Sequence, residues 1–335
     1  MNNKQHLFKA IVTFITISLV LIGILVFILF YLKNKPDISY AKNTNVENII
    51  LIPFDKNSID KLEIITKKNN YKRQILAEVS EELIKVGAKS VLLNYRFIDH
   101  KKGYEKEDKY FIDVVTKHKN IYLPMIFYNS KNLTASPKNK LIEKFSIQLE
   151  DQTNNQLTLT EFNSYQPILK ELIIGSESIA MSNHDPVINN IFVYQGLLYK
   201  YNNNVYPHIT LKMAIDNIAK VDNHSLNKLI INKHRQLLVG NKNIPIDKNA
   251  KLKIKWYGPS QTYKYIPIWK IYNSIEMIKY NNHPEIFLEK TFKDKVVIIG
   301  DTTNDIQNYR KTPVDDKLYT IEYLATIYNN LVNEY

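Results

Sequence analysis

The sequence predicts an α/β domain, with a mostly parallel or mixed central sheet flanked by helices, behind one N-terminal transmembrane helix. Three observations carry this. Short apolar runs alternate with amphipathic runs of helical spacing from residue 46 onward. The apolar runs are bounded by polar residues and are too short for buried helices, so they read as buried strands. Residues 10–32, "AIVTFITISLVLIGILVFILFYL", hold no charge over 23 positions, enough apolar length for a helix to cross a bilayer.

The N-terminal segment is apolar on every face, unlike a helix half-buried on a globular core. Residues 1–9 form a stub carrying Lys4 and Lys9, while Lys33 and Lys35 follow the segment. Flanking charge is thus nearly balanced and does not orient it. Ser39-Tyr40-Ala41 has the small-x-small form of a signal cleavage site, but signal h-regions are shorter than this segment. The reading is an uncleaved single-pass anchor. Residues 33–45, polar and proline-containing, read as a linker, and residues 46–335 as the globular domain.

Within that domain, Asn48 to Phe54 ("NIILIPF") reads as the first strand. Ile75, Leu76, Val79, Leu83 and Val86 then share one helix face, and Gly87 closes the helix. Ser90 to Tyr95 reads as a strand, Glu105 to His118 as a helix and Ile121 to Phe127 as a third strand. Strands alternating with helices imply βαβ units and a parallel core. From Ser130 to Gln166 the chain is polar and irregular, a surface excursion or a short hairpin with a helix. Periodic structure resumes at Glu171 to Gly175, and "NNIFVYQGLLYKYNNN" reads as a hairpin turning near Gln195-Gly196. Leu211, Ala214, Ile215 and Ile218 mark another helix face, and "RQLLVGNKNIPID" and "AKLKIKWYGP" are strand-like. After "KVVIIG", a last strand, Ile321, Leu324, Ala325, Tyr328, Leu331 and Val332 form the stripe of a docked helix. Its opposite face carries Glu322 and Asn329.

Motifs for chemistry are scarce. The net charge of +12 comes from scattered lysines without a recognition motif, so no nucleic-acid partner is expected. Cysteine is absent, which removes disulfides, thiol nucleophiles and zinc-thiolate sites. Gly300 with Asp301-Thr302-Thr303 invites a phosphate loop, but neither the P-loop pattern nor G-x-G-x-x-G occurs. There is no G-x-S-x-G and no H-E-x-x-H, and the eight histidines are dispersed, so no cofactor and no metal are expected. Asp315-Asp316 fits a solvated turn ahead of a helix N-terminus.

Taken in order, several stretches resemble one family. "KVVIIG", a loop, "TP" and "YTIEYLA" are similar to the end of the type-two CHASE domain, an extracytoplasmic sensory domain of bacterial receptors. "ILAEVSEELIKVGAKSVLLNYRF" resembles its opening helix and strand, "HDPVIN" a polar turn, "YPHITLKMA" a helix, and "IPIDKNAKLKIKWYGP" a strand ending in Trp-x-Gly-Pro. The resemblance spans about residues 46–335. The sequence departs from the family pattern at Asn94 and Asn308, where Asp is usual, at Pro186 and Asn189 for Gly and Arg, and at Thr320 and Leu324 for Gly and His.

The resemblance implies that the domain lies outside the cytoplasm, held at the cell inner membrane, and serves signal transduction without catalysis of its own. The expected partner is a small-molecule ligand or an envelope protein. Family members continue into a cyclase or kinase output, whereas this sequence ends at Tyr335. In open α/β sheets ligands bind beyond the carboxyl ends of the strands. With the family's polar positions, that points to Asn94, Asp185, Asp301, Thr302, Asn308, Thr312 and Glu322 as ligand-binding candidates. The alternative is an envelope-bound hydrolase or transferase using Asp301, Asp305 and Asp315.

Overall fold

The computed structural model describes residues 2–33, 38–42, 45–66, 72–130, 140–153, 157–184, 191–222, 228–303 and 308–335. The chain divides into two compact units, residues 1–37 and 38–335. The first is one helix, α1 (Asn2–Lys33). Its described side chains, Thr13 to Ile28, are nearly all exposed and largely apolar. Sixteen residues at 1.5 Å each reach about 24 Å, short of a hydrocarbon core of about 30 Å. Among the described residues no helix is long and apolar enough to cross a membrane, so the expected span is not supported there.

The second unit is built on β1 (Ile49–Phe54), α2 (Lys56–Thr66), α3 (Lys72–Lys85), β2 (Ser90–Asn94), α4 (Glu105–Lys117) and β3 (Ile121–Tyr128). There follow β4 (Ser164–Gln166), α5 (Lys170–Gly175), β5 (Ile179–Met181) and α6 (Ile209–Asp222). Last come β6 (Lys264–Tyr265), α7 (Ile268–Lys279), α8 (Leu288–Phe292), β7 (Val296–Asp301) and α9 (Thr320–Asn333). The seven strands form one mixed sheet in the order β6-β1-β7-β2-β3, with β4 and β5 both on β3. Every pairing is parallel except β4 with β3.

Alternation of side chains along the strands divides the core in two. Ile50, Ile52 and Phe54 of β1 and Val297 and Ile299 of β7 face a layer made by α2, α3, α4, α5, α7 and α8. Ile49, Leu51, Val296 and Ile298 face the other way, onto α6, α9 and the small sheets. Both faces being buried explains why these strands read as continuous apolar runs.

Local chemistry sets the joints. Gly87 closes α3 with φ of +92°, its N–H donating to the Ile84 carbonyl while the Ala88 N–H donates to Leu83. That is the Schellman pattern, which favours glycine at this position. Gly300 sits where α9 crosses β7; a Cβ there would lie 2.4 Å from Ile321 Cγ2. That close approach gives the glycine a packing role, and the sequence around it lacks the phosphate-loop pattern.

Three expectations need correction. The hairpin does not turn at Gln195-Gly196; those residues lie in a strand paired with Lys251–Lys253. The turn is Asn202-Asn203, between Leu198–Tyr201 and Asn204–Pro207, with φ of +47° and +64°. Asparagine tolerates that left-handed backbone, which two-residue hairpin turns require. The described part of 130–166 forms no hairpin either, since its strands join separate sheets: Gln148–Asp151 pairs with Lys228–Ile231, and Thr160–Phe162 with Leu198–Tyr201. Finally, Glu322 and Asn329 are buried, each 1% exposed, because α9 is covered on its polar face as well.

Candidate functional site

Parallel strands present their carboxyl ends at one edge of the sheet, and the register shows which residues meet there. Gly300 pairs with Asn94 and with Pro53, and Asp301 with Phe54. Leu92 pairs with Tyr122, so continuing two residues sets Asn94 level with Pro124. A cleft of about 600 Å³ opens at this edge. Asn94 at the end of β2, Tyr95 and Arg96 after it, Pro124 and Ile126 of β3, and Asp301 of β7 line it, with Ser182 and His184 after β5. Asn308, Arg310 and Thr320 complete the wall.

Asp301 is the best-held polar group of the cleft. Its Oδ2 faces Lys72 Nζ at 2.9 Å, and its Oδ1 accepts from the Thr303 N–H at 2.9 Å and the Thr303 hydroxyl at 2.6 Å. The Asn308 amide donates to the same oxygen at 3.3 Å. Burial pushes the carboxyl upward, but Thr303 and Lys72 outweigh it and hold Asp301 below its ordinary value of 3.8. It is an ionised carboxylate engaged on both oxygens. Burial, and then the Asp301 charge, push the Tyr95 hydroxyl well above its ordinary value.

Arg310 donates from Nη1 to the Tyr309 carbonyl at 2.7 Å and lies 5.9 Å from the Phe192 ring centroid. Burial draws its pKa down from 12.5, though a guanidinium stays charged at neutral pH. Burial, then the charges of Arg310 and His208, push His184 well below 6.5, so it is a neutral imidazole. Its Nδ1 lies 3.4 Å from Gln195 Oε1, and its ring stands edge-on to Tyr323.

Of the seven residues singled out from sequence, Asn94, Asp301 and Asn308 come together in this cleft. Thr302 is buried beside it, and among the described residues its hydroxyl has no hydrogen-bond partner. Thr312 instead closes a turn: its hydroxyl donates to the Asp315 carbonyl at 2.8 Å and accepts the Asp315 N–H at 3.0 Å. Glu322 points elsewhere. Its oxygens accept the N–H groups of Gln261 and Thr262 at 3.0 and 2.9 Å and the Tyr265 hydroxyl at 2.6 Å. Asp185 lies outside the described residues, as does Asp305. Asp315 binds the N–H groups of Ser260 and Lys317, a loop-shaping role.

Sequence reasoning missed Arg310, His184 and Ser182. Arg310 stood inside the loop from Asp301 to Pro313, where attention fell on carboxylates. His184 belonged to a turn that read as merely polar. Among the described residues no group of three or more His, Cys, Asp or Glu is placed to hold a metal ion.

An open, largely parallel sheet with a polar cleft at its carboxyl edge defines a class of architecture, the open α/β domain. Comparison with known families narrows the class: the CHASE2 domain model matches residues 17–335, and the chain belongs to that family of extracytoplasmic sensory domains. No curated protein and no solved structure matches it.

Proposed function

We propose that this chain is a membrane-anchored sensory module that binds a small ligand at the carboxyl edge of its sheet and catalyses no reaction. The observation that carries the reading is the cleft itself. Its volume suits a small molecule, and it joins three chain segments, after β2, after β5 and after β7, whose spacing a ligand would set. Asp301, Thr303 and Asn308 are spent on one another and on Lys72, which suits a wall and not a nucleophile or general base. The anchor is residues 10–32, a charge-free stretch inside the continuous helix α1. The bulk of the chain then lies on the outer face of the inner membrane, where an envelope protein is the other partner open to it.

Two measurements test this. The chain has no cysteine, so Tyr280→Cys, at an exposed position, gives a clean single label site. A membrane-impermeant maleimide should label it in intact spheroplasts. Labelling only after permeabilisation would place the domain inside. Separately, thermal melts of the full chain in micelles against small polar metabolites should yield a stabiliser whose effect Ile98→Trp, in the cleft wall, removes. Chemical turnover of that compound would replace sensing with catalysis.

A further inference from the structure

The cleft has a chemical bias that narrows the ligand, given the reading of it as the binding site. Among the described residues of its lining the one carboxylate is Asp301, and Lys72 and Thr303 already satisfy it. Arg310 and Arg96 bring cationic groups to the same lining, and Arg310 is half-buried. Asn94 and Ser182 add neutral polar side chains. Thr320, the first residue of α9, also lines the cleft, and among the described residues no side chain caps the N-terminus of that fourteen-residue helix, so its positive end meets the same space. Ile98, Pro124 and Ile126, which are apolar, belong to the same lining.

We propose that the cleft takes a small organic carboxylate, its anionic head against Arg310 and its apolar body against Ile98, Pro124 and Ile126. A planar guanidinium matches a carboxylate in a two-pronged pair, and its single charge balances a single negative charge. The Asn94 amide and the α9 N-terminus then supply further donors to the head group. An apolar wall has no use for a bare inorganic anion. Two cations already in the lining disfavour a cationic ligand, and the Asp301 charge is engaged by Lys72.

The test uses the full chain in micelles with three probes: phenylacetate, its neutral isostere phenylacetamide, and inorganic phosphate. Melting temperature is followed at millimolar concentrations for the wild type, Arg310→Ala, Arg310→Lys and Ile98→Trp. The expected result is stabilisation by phenylacetate alone. Arg310→Ala should weaken its binding about tenfold or more, as loss of a charge-assisted partner does. Arg310→Lys, which keeps the charge and loses the fork, should fall between, and serves if the alanine variant does not fold. Ile98→Trp should abolish the shift.

Equal shifts with phenylacetate and phenylacetamide, both lost in Ile98→Trp, would overturn the carboxylate assignment and leave the cleft as the site. A phenylacetate shift untouched by Ile98→Trp would overturn the cleft reading itself. Absence of any phenylacetate shift, or a shift with phosphate alone, would also overturn the carboxylate proposal.

Discussion

Lys72 and Asp301 form a 2.9 Å ion pair although 229 residues separate them in the chain. The pair ties the first turn of α3 to the last residue of β7. Lys72 Nζ also lies over the rings of Phe54 and Tyr95, at 4.8 and 4.5 Å from their centroids. Both side chains keep about a third of their surface in solvent, so the Coulomb attraction alone contributes little. The weight comes from Asp301 also accepting two hydrogen bonds from Thr303.

Asp301→Asn should therefore cost more than Lys72→Met. The expected loss is roughly 1–2 kcal/mol at neutral pH, read from the denaturant midpoint at unchanged slope. Combining the two changes should cost less than their sum, because they share one contact. Strict additivity would mean the pair carries no coupling.

The acid response has a definite sign. The folded pKa of Asp301 lies below 3.8, so the folded state binds fewer protons than the unfolded one. Its stabilisation is present above the unfolded value and is lost as pH falls through the folded value. From neutrality toward about pH 3 the wild type should lose stability relative to Asp301→Asn. Parallel acid curves for the two proteins would remove Asp301 from the account.

Glu322 gives the opposite sign. Burial raises its pKa above 4.5 despite the hydrogen bonds from Tyr265, Gln261 and Thr262. With the folded value raised, its contribution is complete below the unfolded pKa and is lost as pH rises through the folded value. The wild type should gain on Glu322→Gln as pH falls through that window. Glu322→Ala, which strands the N–H groups of Gln261 and Thr262, should cost roughly 3 kcal/mol. The glutamine variant keeps one acceptor and should lose less. Equal losses in the two would show that the loop does not depend on that carboxylate.

Most of the sheet was legible because burial on both faces writes itself into composition. The run from Val296 to Ile299 needs no partner to be recognised as a strand. Gly87 was legible for a local reason, a backbone that only the next few residues define. Glu322 was not. A carboxylate at the solvent-facing phase of a helix stripe gives no sign that residues 260–265 will fold over it. Arg310 was missed for the same reason, since a half-buried guanidinium and a surface one are spelled alike. For apolar runs the sequence records burial directly, whereas for Glu322 and Arg310 it depends on segments that only the fold brings over them.

The hairpin error has its own test. Asn203 holds φ of +64°, and a β-branched residue cannot adopt that backbone cheaply. Asn203→Ile should cost roughly 1–2 kcal/mol, whereas Asn203→Gly should be neutral or slightly stabilising. An isoleucine variant as stable as the wild type would argue that the turn can be rebuilt elsewhere in "YNNNV".

The contact between Gly300 and Ile321 carries the last prediction, because it decides whether the glycine is there for a ligand or for packing. A Cβ at position 300 would fall 2.4 Å from Ile321 Cγ2 and 3.4 Å from Asn94 Cβ. Neither neighbour is the far end of a flexible chain, so α9 or β7 must shift, at a cost of roughly 1–3 kcal/mol. Ile321 is buried, and Ile321→Ala alone should cost roughly 2–4 kcal/mol through the cavity it leaves. The double variant removes the atom that Gly300→Ala strikes and puts a methyl group into that cavity. It should therefore be more stable than the sum of the single losses predicts, by roughly 1 kcal/mol or more. If the two losses simply add, the close approach of α9 is not what requires glycine, and a ligand-facing reason for Gly300 would have to be sought in the cleft beside it.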